Sequence, residues 1–196
     1  MASRINTVTV YAASSSQLDT IYFSAAEKIG RLLAQQKITC INGAGKSGLM
    51  GKVSDSILEN GGKVIGIIPR FMEEQGWYHP GLTEKIVTDD MHERKKMMAN
   101  KSDACIALPG GIGTMEELLE IITWKQLGLY KGLIVILNIN GYYNDLLNML
   151  ARAKQESFMH DKHSLIWKVA ENPEQTLDII LENPQWEKDP LSIAAL

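Results

Sequence analysis

The chain has 196 residues, 45% of them hydrophobic and 22% charged, with a formal net charge of −3. These values suit one soluble globular domain over residues 1–196, with enough chain to bury a real core. The mild negative charge excludes a nucleic-acid footprint and a polybasic membrane patch, and no apolar run approaches the roughly 20 residues that cross a bilayer.

The opening "MASRINTVTVYAAS" has one arginine and too short an apolar stretch for a signal peptide, so it is expected to form a first strand, "VTVYA" at 8–12. Next, "SAAEKIGRLLAQQ" places Ala25, Ile29, Leu32 and Leu33 on one helical face. A second strand, "KITCIN" at 37–42, precedes a helix with Leu49, Val53, Ile57 and Leu58 on one face, closed by Gly61 and Gly62. Further strands are expected at "KVIGIIP" 63–69, "EKIVT" 84–88, "ACIALP" 104–109, "LIVILN" 133–138 and "LIWKVA" 165–170. Cys40 and Cys105 fall inside apolar strands, where thiols act as small buried hydrophobes. Without an export signal, the expected compartment is a reducing cytoplasm.

Strands that alternate with helices and are almost continuously apolar imply a parallel sheet covered on both faces. The expected fold is therefore α/β, a doubly wound Rossmann-like sheet of about seven strands. In such sheets ligands bind beyond the carboxyl ends of the strands, where the strand order reverses. The relevant strand ends are "YAASSS", "NGAGKSGLMG", "IPRFMEE" and "LPGGIGTMEE". Three of the four are rich in Gly or Ser, as a backbone approaching an anion requires.

In "LPGGIGTMEE", Gly110, Gly111 and Gly113 let the chain turn tightly before a helix expected to start near Thr114. Free N–H groups and the helix dipole there favour an anion. The motif lacks the Gly-Lys-Ser/Thr ending of a Walker A loop. Gly43-x-Gly45-x-x-Gly48 has dinucleotide-loop spacing, but no acidic residue stands at a following strand end to hold a ribose as NAD requires. Two readings stay open for Glu117. Thr114-x-x-Glu117 has the form of a capping box; alternatively, a carboxylate in a first helical turn, biased toward ionisation, could stabilise charge or activate water. Glu116 and Glu120 read as solvated first-turn charges.

The segment "DDMHERKKMMANKSDA" at 89–104 is the strongest charge feature. Lys96 and Lys101 suit a solvated face. Arg94, among Met91, Met97 and Met98, suits a partly buried helix and needs a carboxylate or phosphate partner. His160-x-x-His163 lies in a polar loop and reads as exposed histidines rather than metal ligands, and no Ser-His-Asp set is persuasive.

"MHERK" at 91–95 followed by "PGGIGTMEE" at 109–117 resembles the LONELY GUY family of cytokinin riboside 5′-monophosphate phosphoribohydrolases, with its PGGxGTxxE signature. The resemblance runs on through "SGLMG", "HPGLTE", "ELLEIITWKQLGLYKG" and "ILNINGYYNDLLNML". It implies Arg94 and Glu117 as a catalytic pair. It implies substrate contacts from Lys95, Gly110, Gly111, Ile112, Gly113, Thr114, Met115, Glu116 and Thr123, and from an acidic residue after the third strand. Glu73 and Glu74 both lie there; Glu74 is carried as the candidate. Ser14 is expected to line the pocket, as is Gly43, although "NGAG" and "AASS" depart from the family's usual turns at both places. The implied reaction is hydrolysis of an adenine-type nucleoside 5′-monophosphate to free base and ribose 5-phosphate, with no cofactor and no metal. A homodimer is implied, with the "LLEIITWKQLG" helix at or near the contact. A nucleotide or anionic-cofactor carrier is the alternative. Lysine decarboxylase, a label such sequences attract, would need pyridoxal phosphate on a lysine, and no lysine stands in a suitable context.

Overall fold

The structure, a computed structural model, describes residues 4–184. Seven strands form one parallel sheet: β1 (Thr7–Tyr11), β2 (Thr39–Asn42), β3 (Val64–Pro69), β4 (Glu84–Thr88), β5 (Ala104–Ala107), β6 (Leu133–Leu137) and β7 (Lys168–Ala170). Their order is β4-β3-β2-β1-β5-β6-β7, so the winding reverses between β1 and β5. Seven α-helices lie among the described residues: α1 (Thr20–Gln35), α2 (Gly48–Glu59), α3 (Arg70–Glu73), α4 (Met91–Asn100), α5 (Ile112–Gln126), α6 (Asn144–Gln155) and α7 (Pro173–Glu182). None is long and apolar enough to cross a membrane.

Strand periodicity divides the core in two. Ala104 and Ile106 of β5, with Leu133, Val135 and Leu137 of β6, face Ile29, Leu33, Leu49, Val53, Ile57 and Ile180. Cys105, Ala107, Ile134 and Ile136 face the other way, toward Met98, Leu118, Ile121, Ile122 and Trp167. Each fully buried Leu or Ile contributes about 1.5–3 kcal/mol of transfer free energy. Cys40 and Cys105 are buried and unbridged.

Strands β2 and β7 start well after the residues the sequence suggests. Lys37 takes a left-handed φ of 58°, so β2 starts only at Thr39. The stretch 165–170 is not one strand either. Residues Asp161–Leu165 form a 3-10 helix, and only Lys168–Ala170 pair with β6. His160 caps that turn, its Nδ1 accepting from the Lys162 amide at 3.1 Å. His163, expected to be exposed, is 1% exposed, and its Nδ1 accepts from the His160 amide. Both histidines thus hold a local turn that their polar neighbours disguised as a plain loop.

Candidate active site

Beyond the carboxyl ends of β1, β2, β3 and β5 lies a cleft of about 650 Å³. Its walls include Ala12–Ser15, Gly43, Gly45–Ser47, Met50, Met72, Trp77, Met91 and Arg94, and the start of α5 from Gly111 to Thr114 with Glu116 and Glu117. The cleft therefore straddles the point where the winding reverses, as a doubly wound sheet dictates.

Helix α5 begins two residues earlier than expected, at Ile112, with Gly111 as N-cap and no side-chain cap. No capping box forms. Thr114 already lies inside the first turn, and Glu117 lies in the second, turned inward to Arg94 instead of back to the helix start. A side-chain and backbone exchange of that general kind occurs at α4, where Asp90 accepts from the Glu93 amide and Glu93 accepts from the Asp89 amide, both at 2.8 Å. Those bonds fix the first turn of α4 and so the direction in which Arg94 leaves it.

Arg94 donates from Nη1 to Glu117 Oε1 at 2.8 Å and from Nε to the Ile67 carbonyl at 3.1 Å. Both side chains are nearly buried, 6% and 10% exposed, yet both reach the cleft wall. Burial pushes the Glu117 carboxyl above the ordinary glutamate range, against the opposing pull of the Arg94 guanidinium. That corrects the expectation of a first-turn carboxylate held ionised by the helix dipole: the second turn feels little of the dipole, and desolvation dominates. A carboxyl so raised takes up a proton more readily than an ordinary glutamate.

Lys95 is buried beside the pair, with Nζ on Glu120 Oε1 at 3.0 Å and on Glu116 at 2.5 Å. Burial works against its charge, but the two carboxylates prevail and hold its pKa above the usual value. Glu116 and Glu120 are thus partnered rather than simply solvated. Lys95 stands behind Glu116 and is not part of the cleft wall, whereas Glu116 is.

Ser14, Gly43, Gly111, Ile112, Gly113 and Thr114 all line the cleft. Gly110 lies just behind them, packed so closely on Thr114 that a β-carbon would collide with it. Met115 is half-buried outside the lining. Thr123 is exposed on α5 and bonds its own helix at the Leu119 carbonyl. Glu73 is tied to Lys85 at 2.6 Å and Glu74 is exposed; neither lines the cleft. The sequence reading missed the apolar wall of Met50, Met72, Trp77 and Met91, and the rim residue Lys46, whose Nζ donates to the Gly76 carbonyl at 2.8 Å. Methionines scattered through three helices carry no shared spacing. "GLMG" and "EEQGWYHP" beside strand ends were the available signal.

Fold and cleft define a doubly wound α/β protein with a cleft at its topological switch point. Residues 50–180 match a family described as "Possible lysine decarboxylase". A cytokinin riboside 5′-monophosphate phosphoribohydrolase of Arabidopsis thaliana is 38% identical over 94% of this chain and 86% of its own length. The enzyme of that name from Rhodococcoides fascians is 43% identical over 78% of this chain and 77% of its own. The molybdenum cofactor carrier protein of Chlamydomonas reinhardtii superposes with a TM-score of 0.69 over 91% of this chain and 98% of its own, at 17% identity, a likeness of fold alone. The chain belongs to the LONELY GUY family of cytokinin riboside 5′-monophosphate phosphoribohydrolases.

A decarboxylase using pyridoxal phosphate does not fit these residues. A Schiff-base lysine needs an amine with depressed pKa. Lys95 has the reverse, and Lys46 is exposed at the rim.

Proposed function

We propose that this protein hydrolyses the N-glycosidic bond of adenine-type nucleoside 5′-monophosphates, giving the free base and ribose 5-phosphate. The observation that carries this reading is the buried Arg94–Glu117 pair, held at 2.8 Å in the wall of a cleft whose adjoining edge is a helix N-terminus. The family membership supports it.

In this reading the 5′-phosphate sits on the amides of Gly111 to Thr114, which have no intrahelical partner. Ser14 and Ser15 border the same end. The purine lies toward Met50, Met72 and Trp77, a wall of polarisable side chains suited to a flat apolar ring. The ribose then falls beside Glu117. Water adds at C1′ as the bond from C1′ to the base nitrogen breaks; the sugar passes through an oxocarbenium-like state, as in glycoside hydrolysis. Ionised Glu117 stabilises that charge and takes the proton of the water, while the departing base is protonated from solvent. Arg94 holds the carboxylate in place, a positioning term rather than bond making. A homodimer would use the outer face of α5, where Leu119 is exposed, with exposed Leu127 just past the helix end.

The test is release of free base from AMP and from isopentenyl-AMP, followed with a Glu117→Gln variant alongside. Base from the wild type and a loss of at least ~100-fold in the variant support the hydrolase. No base from either nucleotide, with tight binding kept, would replace it by the carrier.

A further inference from the structure

The backbone of the glycine loop is sorted by polarity. Four successive carbonyl oxygens, those of Leu108, Pro109, Gly110 and Gly111, are each taken by a different partner. Tyr143 donates its hydroxyl to Leu108 at 2.6 Å and Tyr142 to Gly110 at 2.6 Å. The Ala13 amide binds Pro109 at 3.3 Å, and the Met115 amide binds Gly111 at 3.0 Å. The amides of Gly111, Ile112 and Gly113 make no hydrogen bond among the described residues, and these three residues line the cleft. With the acceptors turned away and tied, the donors are left for the ligand.

The two tyrosines are themselves held. They follow β6, the strand beside β5, across a turn in which Asn140 and Gly141 are both left-handed, at φ 53° and 68°. Asn138 locks the turn, accepting from the Tyr143 amide at 2.7 Å and donating to Asn144 at 2.9 Å. Tyr142 stacks edge-on against Tyr143, with centroids 5.0 Å apart, and against Tyr22 of α1 at 6.0 Å. Tyr143 is 1% exposed, and Tyr142 is an exposed residue whose hydroxyl is nonetheless engaged. Neither reaches the cleft. Such rings and such a turn exceed what a plain connection between β6 and α6 requires.

We propose that Tyr142 and Tyr143 are positioning residues for phosphate: by holding the Gly110 and Leu108 carbonyls they aim the Gly111–Gly113 amides at the 5′-phosphate. This rests on the reading of that loop as the phosphate end of the site. Rotating the Gly110 peptide would bring a carbonyl dipole round to the anion, turning an attraction into a repulsion.

Tyr142→Phe tests the idea, because it removes one hydroxyl from a partly solvated ring and leaves the stacking in place. Binding of ribose 5-phosphate and of adenine is measured by calorimetry on the wild type and on Tyr142→Phe and Tyr143→Phe. The expected result is a weakening of about 3- to 10-fold for ribose 5-phosphate in Tyr142→Phe, the scale of one hydrogen bond, with adenine unchanged. In turnover of AMP, KM should rise by a similar factor with kcat within about twofold. Equal binding of ribose 5-phosphate by wild type and Tyr142→Phe overturns the inference. So does equal weakening of both ligands, which marks a merely structural role, and so does a wild type that binds no ribose 5-phosphate. A wild type that binds ribose 5-phosphate but releases no base sinks the hydrolase reading and leaves this inference standing on its binding result.

Discussion

Gly43 lies directly against the Arg94 guanidinium, so close that a β-carbon there would collide with Nη2. Its backbone is one that alanine can adopt, so the contact itself excludes a side chain. Gly43→Ala should push Arg94 off Glu117 without unfolding the protein. The expected loss in kcat is about 100-fold, the scale of a misplacement near 1 Å, with the melting temperature lowered by only a few degrees. An active Gly43→Ala enzyme would show that the Arg94 position is not critical.

The pH profile should carry the signature of Glu117. Its folded pKa is raised above the ordinary 4.5 by burial, and the proposed reaction uses the ionised form, so the acid limb of kcat/KM should fall above pH 4.5. Glu116 raises that pKa and Arg94 lowers it. Glu116→Gln should therefore move the limb to lower pH, and the residual activity of Arg94→Gln should show it at higher pH. Shifts in the opposite directions would remove Glu117 from the role.

Lys125 offers a stability test remote from the cleft. It is 4% exposed, with Nζ on the Gly132 carbonyl, and burial lowers its pKa to about 8. Below pH 8 the folded and unfolded chains both hold the proton, and the cost of burying the charge is constant. Between about 8 and 10.5 only the unfolded chain holds it, so stability climbs with pH. Across that window the wild type should gain about 3 kcal/mol relative to Lys125→Met, read from denaturant unfolding at both ends. Parallel curves would show that Lys125 is not depressed.

Light scattering checks the proposed assembly. The wild type should elute at twice 21.8 kDa, and Leu119→Asp on the outer face of α5 should shift it toward the single chain.

The alternation of apolar strands with amphipathic helices made the doubly wound sheet legible, because period 2 and period 3.6 are written directly into the sequence. The loops around Ser14, Gly43 and Gly111 were legible as well, since a parallel sheet places every strand's carboxyl end on one edge. What escaped is tertiary. Glu117 looked like half of a capping box because sequence shows only its neighbours three residues away, whereas its partner lies 23 residues earlier. Met50, Met72 and Trp77 share no periodicity, and only folding brings them to one wall. Thr123 and Glu74 came from resemblance alone, and in this chain they stand outside the cleft.

Helix α4 packs on β3 and β4 and leads into β5, while α5 follows β5 and packs back on β1. The Arg94–Glu117 bond therefore ties together the two helices that flank β5 in the chain. Any motion that parted α4 from α5 would break this bond and open the layer that Met98 shares with Leu118, Ile121 and Ile122. On the proposed reaction, a crosslink or a ligand that clamps α4 to α5 should therefore act on rate even if it never touches the sugar.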